Sequence, residues 1–126
     1  MALFYNKTQR TNPSQPAAPK KWYLIVKSIG RMTEKQVAKE ISDETTLNPK
    51  EAEMAIYQFQ KVLTKALLDG KTVQLGELGS FQITVKSKGV DNESEVTASL
   101  VERVNLRFTP SKELKSNLSK AQFKAR

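Results

Sequence analysis

The strongest periodicity in the chain is helical. Ala52, Ala55, Ile56, Phe59, Val62, Leu63, Ala66 and Leu67 recur at three-four spacing, which puts them on one face of a long helix. Asn48 stands at the N-cap, Pro49 at the first helical position and Glu51 at the third, where a carboxylate favours the positive helix end. Gly70 falls where a left-handed C-terminal residue is wanted. Met54 and Tyr57 widen the apolar surface beyond one stripe, which calls for a second packing partner or a wider contact within one subunit. A shorter helix is predicted upstream, from Thr33 to about Asp43. Thr33 and Gln36 have capping-box spacing, and Met32 with Val37 occupy the staple positions.

Period two takes over after Gly70. Val73 and Leu75 alternate with Thr72 and Gln74, and Phe81, Ile83 and Val85 alternate with Gln82, Thr84 and Lys86. From Val96 to Phe108 the even positions are apolar except Glu102, and the odd positions polar except Val101. The pattern predicts one long strand. Its two adjoining lapses mark a bulge, or a change from packed sheet to free ribbon. Between the strands, SKGVDNES supplies Gly89, Asp91 and Asn92 for a turn.

The ends of the chain read differently. Ala2 to Tyr5 suits a short strand, and residues 12–20 hold three prolines and form a connecting loop. Lys21 to Lys27, KWYLIVK, is a predicted strand with one or both faces covered. At the far end, Pro110 and Ser111 open a helix with Leu114, Leu118 and Ala121 on one side and lysines spread around it.

Charge sharpens this picture. The 126 residues carry a net charge of +8, and only 38% of them are hydrophobic, so one small domain with a thin core is expected, helped by burial across a subunit interface. Residues 1–31 hold six basic and no acidic groups, and residues 110–126 hold five basic and one acidic, around a nearly neutral middle. Such a balance favours polyanions, nucleic acid before anionic membrane. There is no cysteine and no histidine, which removes disulfides, thiol chemistry, the commonest general base and the commonest metal ligand. No apolar run approaches a membrane span; Trp22 to Val26 is the longest. No catalytic spacing exists among the carboxylates, so neither an enzyme nor a cofactor, metal or small-molecule site is expected.

Gly76 and Gly79, in the run GELG, could in principle cradle a phosphate. A Walker loop needs four residues between its glycines followed by lysine and a hydroxyl, and the run has neither. The GxxG of RNA-binding KH domains sits between helices, whereas both flanks here read as strand, and Glu77 repels phosphate. A hairpin turn is the better reading.

Taken in order, MTEKQVAKEI, the run LNPKEAEMAIYQFQKVLTKALLDGKTVQL, GELGSF and RFTPSKELK resemble the bacterial HU and integration host factor family of histone-like DNA-binding proteins. GELGSF is similar to that family's GFGTF, and RFTPSKELK to its FKPGKALK. The resemblance covers residues 31–126, and residues 1–30 look like the added strand-loop-strand segment of HU-related variants. It implies an α+β, HU-like fold: an intertwined homodimer with a helical base, an antiparallel β-saddle and extended β-arms on double-stranded DNA. It further implies DNA contacts at Lys86, Lys88, Arg103, Arg107, Lys112 and Lys115. Phe59, Leu78, Gly79 and Phe81 would form the turn and dimer core, and the protein would lie in the cytoplasmic nucleoid.

Three departures bear on that expectation. The arm tip of the family carries a wedging proline, and this chain has none between Pro49 and Pro110. Asp91, Glu93 and Glu95 make the tip acidic, and Glu77 replaces a glycine. These count against wedge-type bending, while phosphate-driven, salt-dependent binding survives. The alternative is a protein-interaction module on the same scaffold with weak or no DNA binding. RNA binding is a lesser option, because the aromatics are committed to the core.

Overall fold

The computed structural model describes residues 2–125. In chain order its elements are β1 (Leu3–Arg10), β2 (Lys21–Lys27), α1 (Glu34–Glu44), α2 (Pro49–Leu68), β3 (Val73–Gln74), β4 (Gly79–Ser87), β5 (Val101–Pro110), α3 (Lys112–Leu118) and β6 (Phe123–Ala125). Two compact units result: an inner one, Glu34–Ser116, and a terminal one made of the described residues up to Thr33 and from Asn117 onward.

In the inner unit α1 packs on α2, and the buried residues of the two helices are Ala38, Ala52 and Leu67. The caps of α2 form as the sequence predicts. Asn48 Oδ1 accepts the Glu51 N–H at 2.8 Å, and Glu51 Oε1 accepts the Asn48 N–H at 3.3 Å, closing a capping box. At the other end the Gly70 N–H donates to Leu67 O and the Lys71 N–H to Ala66 O, both at 3.0 Å. That is a Schellman closure, and Gly70 takes φ +83° to make it.

The inner sheet has the order β3-β4-β5, antiparallel throughout. Between β3 and β4 the Leu78 N–H donates to Leu75 O at 2.9 Å across Gly76 and Glu77, and Gly76 takes φ +47°. GELG is therefore a tight turn, as expected. Ser111 then ties this turn to α3. Its hydroxyl donates to Glu77 O, its N–H donates to Leu78 O at 3.1 Å, and its Oγ accepts the Leu114 N–H at 3.0 Å as a helix cap. Gly79 is buried beside β5. A Cβ there would lie 2.3 Å from Thr109 O, so no larger residue fits.

The predicted strand from Val96 to Phe108 needs correction. β5 begins only at Val101, and Glu93–Glu95 and Ala98–Leu100 are single 3-10 turns. Residues 88–100 thus form no extended β-arm. The apolar alternation of Val96, Ala98 and Leu100 would need a β-prone partner, and the facing run KGVDNESE is rich in residues that strands disfavour. The bulge is where the two lapses placed it. Lys86 pairs with Arg103 and Ser87 with Val101, leaving Glu102 as the extra residue. The last helix also differs: it stops at Leu118, so Ala121 lies beyond it.

In the terminal unit β1 runs to Arg10, longer than the predicted Ala2–Tyr5 strand, and pairs antiparallel with β2 over seven residue pairs. β6, unforeseen in the sequence, adds parallel to the other edge of β1. KWYLIVK is a strand, but neither face is covered: Trp22 is 67% exposed, and Tyr23 on the opposite face is also exposed. No helix among the described residues is long and apolar enough to cross a membrane.

Candidate nucleic-acid interface

Residues opposite one another in a β-ladder share a face, so the register of β4 and β5 sorts their side chains into two sets. One set holds Phe81 with Phe108, Ile83 with Leu106 and Val85 with Val104. The other holds Ser80 with Thr109, Gln82 with Arg107, Thr84 with Asn105 and Lys86 with Arg103. Up to the bulge the first face is wholly apolar and the second wholly polar, with three cations.

The apolar face begins with a ring pair and grows more open along the strands. Phe81 and Phe108 stack with ring centroids 4.9 Å apart at 42°, a tilted pair worth about 0.5–1.5 kcal/mol beyond its buried area. Toward the bulge Val85, Val104 and Leu106 are each more than half exposed. On α2, Phe59, Val62, Met54 and Leu68 are exposed too, Leu68 by 76%. Among the described residues the buried apolar side chains are only Ala38, Ala52 and Leu67. Of the four residues assigned to the turn and dimer core, Gly79 is buried, Phe81 is half-buried, and Phe59 and Leu78 are 40% and 45% exposed.

On the polar face, Lys86 and Arg103 stand directly opposite each other at the bulge. Arg107 lies four residues further along β5, roughly 13 Å at the usual strand rise. Asn105 lies midway between the two arginines and Gln82 stands opposite Arg107, adding amide donors that the sequence reading did not single out; the even-odd phase of Asn105 with Arg103 and Arg107, and of Gln82 with Lys86, was the available signal. Glu102, extruded by the bulge, reaches Lys86 Nζ at 3.9 Å, and both side chains remain substantially solvent-exposed. Such a pair is screened and contributes about 0–1 kcal/mol.

The remaining candidates do not join this face. Lys88 lies beyond the end of β4, where its N–H donates to Leu100 O at 3.0 Å. Lys112 and Lys115, three positions apart on α3, share one helical flank next to the Ser111 anchor and are exposed. Six cations thus divide into a sheet trio, a helix pair and one residue past the strand end. Among the described residues no group of three or more His, Cys, Asp or Glu side chains could hold a metal ion.

The family model HU-HIG, described as "HU domain fused to wHTH, Ig, or Glycine-rich motif", matches residues 1–125. Among solved structures, the chain is similar to a protein from Bacteroides vulgatus ATCC 8482 described as a "Putative bacterial DNA binding protein". The identity is 11% and the TM-score 0.67, covering 98% of this chain and 48% of that one. This chain therefore spans about half the length of that structure. It is also similar to Anabaena HU from an HU–DNA cocrystal, at 14% identity and TM-score 0.57, covering 71% of this chain and 99% of that one. At these identities the likeness shows the fold, which is HU-like. No curated protein sequence matches the chain.

Proposed function

The chain belongs to the HU-HIG family, and on that premise we propose that it is a non-catalytic protein that binds double-stranded DNA, largely without sequence preference, as a homodimer. The observation that carries this reading is the division of the β4–β5 sheet into an apolar face and a cationic face. Each face answers one requirement. The open apolar side of the sheet and the exposed stripe of α2 supply what a second copy would cover, since one chain buries so little of its own apolar surface. The cationic side offers Lys86, Arg103 and Arg107 to phosphates, and Lys88, Lys112 and Lys115 add charge from segments outside that face. Gln82, Thr84 and Asn105 can donate to phosphate and sugar oxygens without reading bases.

Affinity of this kind comes from counterion release. Each phosphate neutralised contributes a slope of about −0.9 in log K against log salt. Wedge-driven kinking forms no part of the proposal, because residues 88–100 are acidic, lack proline and form turns rather than a ribbon. A protein of this kind would coat or gently shape DNA in the cytoplasmic nucleoid. The similar Bacteroides structure is described as a "Putative bacterial DNA binding protein" and the Anabaena one was solved with DNA, which supports the partner class.

The test is a salt titration of binding to random-sequence duplex, run beside light scattering of the free protein. A steep loss of affinity with salt and twice the 14.2 kDa chain mass are the expected results. A monomer that fails to shift duplex at low salt refutes the reading, and would favour a protein-interaction module that uses the acidic turns at Glu93–Glu95.

A further inference from the structure

The net positive charge of the chain does not reside in the inner unit. Residues 34–116 carry twelve basic and thirteen acidic groups, a net of −1. The remaining residues, 1–33 and 117–126, carry nine basic groups and no acidic one.

Strand register concentrates part of that charge on one surface. β1 pairs with β2 and β6 so that Lys124, Phe4 and Lys27 form a row across all three strands, and Arg10 faces Lys21 at the other end. Between the rows lie Asn6, Thr8, Tyr23 and Ile25. The opposite face carries Leu3, Tyr5, Trp22, Leu24, Val26 and Phe123, with Lys7 as its one lysine. Six residue steps along β1 separate the rows, roughly 20 Å at the usual rise, or about six base-pair steps of 3.4 Å.

The Arg10 end is preformed. The Arg10 guanidinium sits 5.7 Å from the centroid of the Tyr23 ring, which holds it over the sheet. Beside it, Arg10, Lys20, Lys21, Tyr23, Asn12 and Gln15 line a cleft of about 250 Å³. The cleft wall is a stiff loop with prolines at 13, 16 and 19. Asn12 Oδ1 accepts the Ser14 N–H at 3.0 Å, and the Gln15 N–H donates to Asn12 O at 3.1 Å.

We propose that this face of the terminal sheet is a second DNA-contact surface, with Arg10, Lys21, Lys27 and Lys124 on backbone phosphates and one phosphate seated in the Arg10–Lys20–Lys21 cleft. It supplies the larger share of the electrostatic attraction, because no acidic side chain in its own unit offsets it, whereas Lys86 on the inner sheet pairs with Glu102. The inference rests on the DNA-binding reading above but assigns the dominant contact to a different element.

The experiment uses the full chain and a random-sequence 30-base-pair duplex, followed by fluorescence anisotropy over a range of salt. Three proteins are compared: wild type, a terminal variant (R10Q, K21Q, K27Q, K124Q) and an inner-sheet variant (K86Q, R103Q, R107Q). The terminal variant is expected to flatten the log–log salt slope by about 3 to 4 per bound copy and to weaken binding at 0.1 M salt by at least ~10²-fold. The inner-sheet variant should lose less. A terminal variant with the wild-type slope overturns the inference and leaves the inner-sheet reading intact. An inner-sheet variant that binds like wild type, beside a crippled terminal one, upholds it and removes the inner-sheet reading. Wild type that ignores duplex but binds phosphatidylserine vesicles overturns both.

Acetylation footprinting of unmodified wild type guards against misfolded variants. Duplex should slow acetylation of Lys21, Lys27 and Lys124 several-fold while Lys7, on the opposite face, reacts at its free rate. Equal rates at all four lysines with and without duplex overturn the assignment.

Discussion

The two three-stranded sheets of this protein each pair an apolar face with a basic one, yet they hold those faces by different means. The inner sheet is locked at one corner. Gly79 lies against the β5 backbone, Phe81 stacks on Phe108, and Ser111 bonds the GELG carbonyls. The terminal sheet has its backbone ladder, a Pro-rich loop and a closing strand from the far end of the chain. Charge divides the opposite way, since the inner unit balances its cations with acidic side chains and the terminal unit has none. Geometry is thus specified most tightly where charge is neutral. Where charge is highest, the backbone ladder carries the shape and leaves the side chains free to meet an anion.

Substitution at glycine should break this contrast most severely. Gly79→Ala puts a Cβ 2.3 Å from Thr109 O at φ +145°, so neither the neighbour nor the backbone can relax cheaply. A loss of at least about 4 kcal/mol is expected by urea denaturation. The matching change in the terminal unit, Gly30→Ala, has nothing within 4 Å and should stay within about 0.5 kcal/mol. Similar costs at the two positions would refute the corner as the lock.

Next in size is a charge on the open apolar face. Leu106→Asp removes a leucine that a partner copy would bury, about 1.5–3 kcal/mol for each chain before any charge penalty, and should convert the proposed dimer to monomer in light scattering. Leu24→Asp, at the equivalent apolar position of the terminal sheet, should leave the mass unchanged. If it dissociates the protein instead, the two apolar faces have exchanged roles.

Helix caps are worth less and are independent of both sheets. Asn48→Ala deletes the acceptor of the Glu51 N–H and should lower stability by about 1 kcal/mol without moving the salt slope of DNA binding. That cap was also the most readable feature of the sequence. Asn48, Pro49, Glu51 and Gly70 act within a few residues of themselves, so local chemistry decides them. The β4–β5 faces were readable for a similar reason, because period two survives wherever one side is apolar. The bulge betrayed itself at Val101 and Glu102. What failed was non-local. Val96, Ala98 and Leu100 alternate like a strand but lack a fit partner across the turn. β6 exists only because β1, more than a hundred residues earlier, offers an edge. Of the candidate site, Lys86, Arg103 and Arg107 are brought together by register, which the alternation implied. The shared face of Arg10, Lys21, Lys27 and Lys124 required knowing that β1, β2 and β6 form one sheet.

The smallest effect on stability sharpens the comparison furthest. Glu102→Gln removes an exposed ion pair at 3.9 Å, so the denaturation midpoint should shift by no more than about 0.5 kcal/mol equivalent. Binding should respond in the other direction. Lys86 loses its carboxylate partner and becomes available to a phosphate, steepening the salt slope by about 0.9 per chain and tightening binding at 0.1 M salt by up to ~10-fold. This would make the inner sheet behave more like the terminal one, with cations no longer offset by a neighbouring acid. If Glu102→Gln leaves the slope untouched, Lys86 takes no phosphate from the DNA, and the inner sheet's contact falls to Arg103 and Arg107 alone.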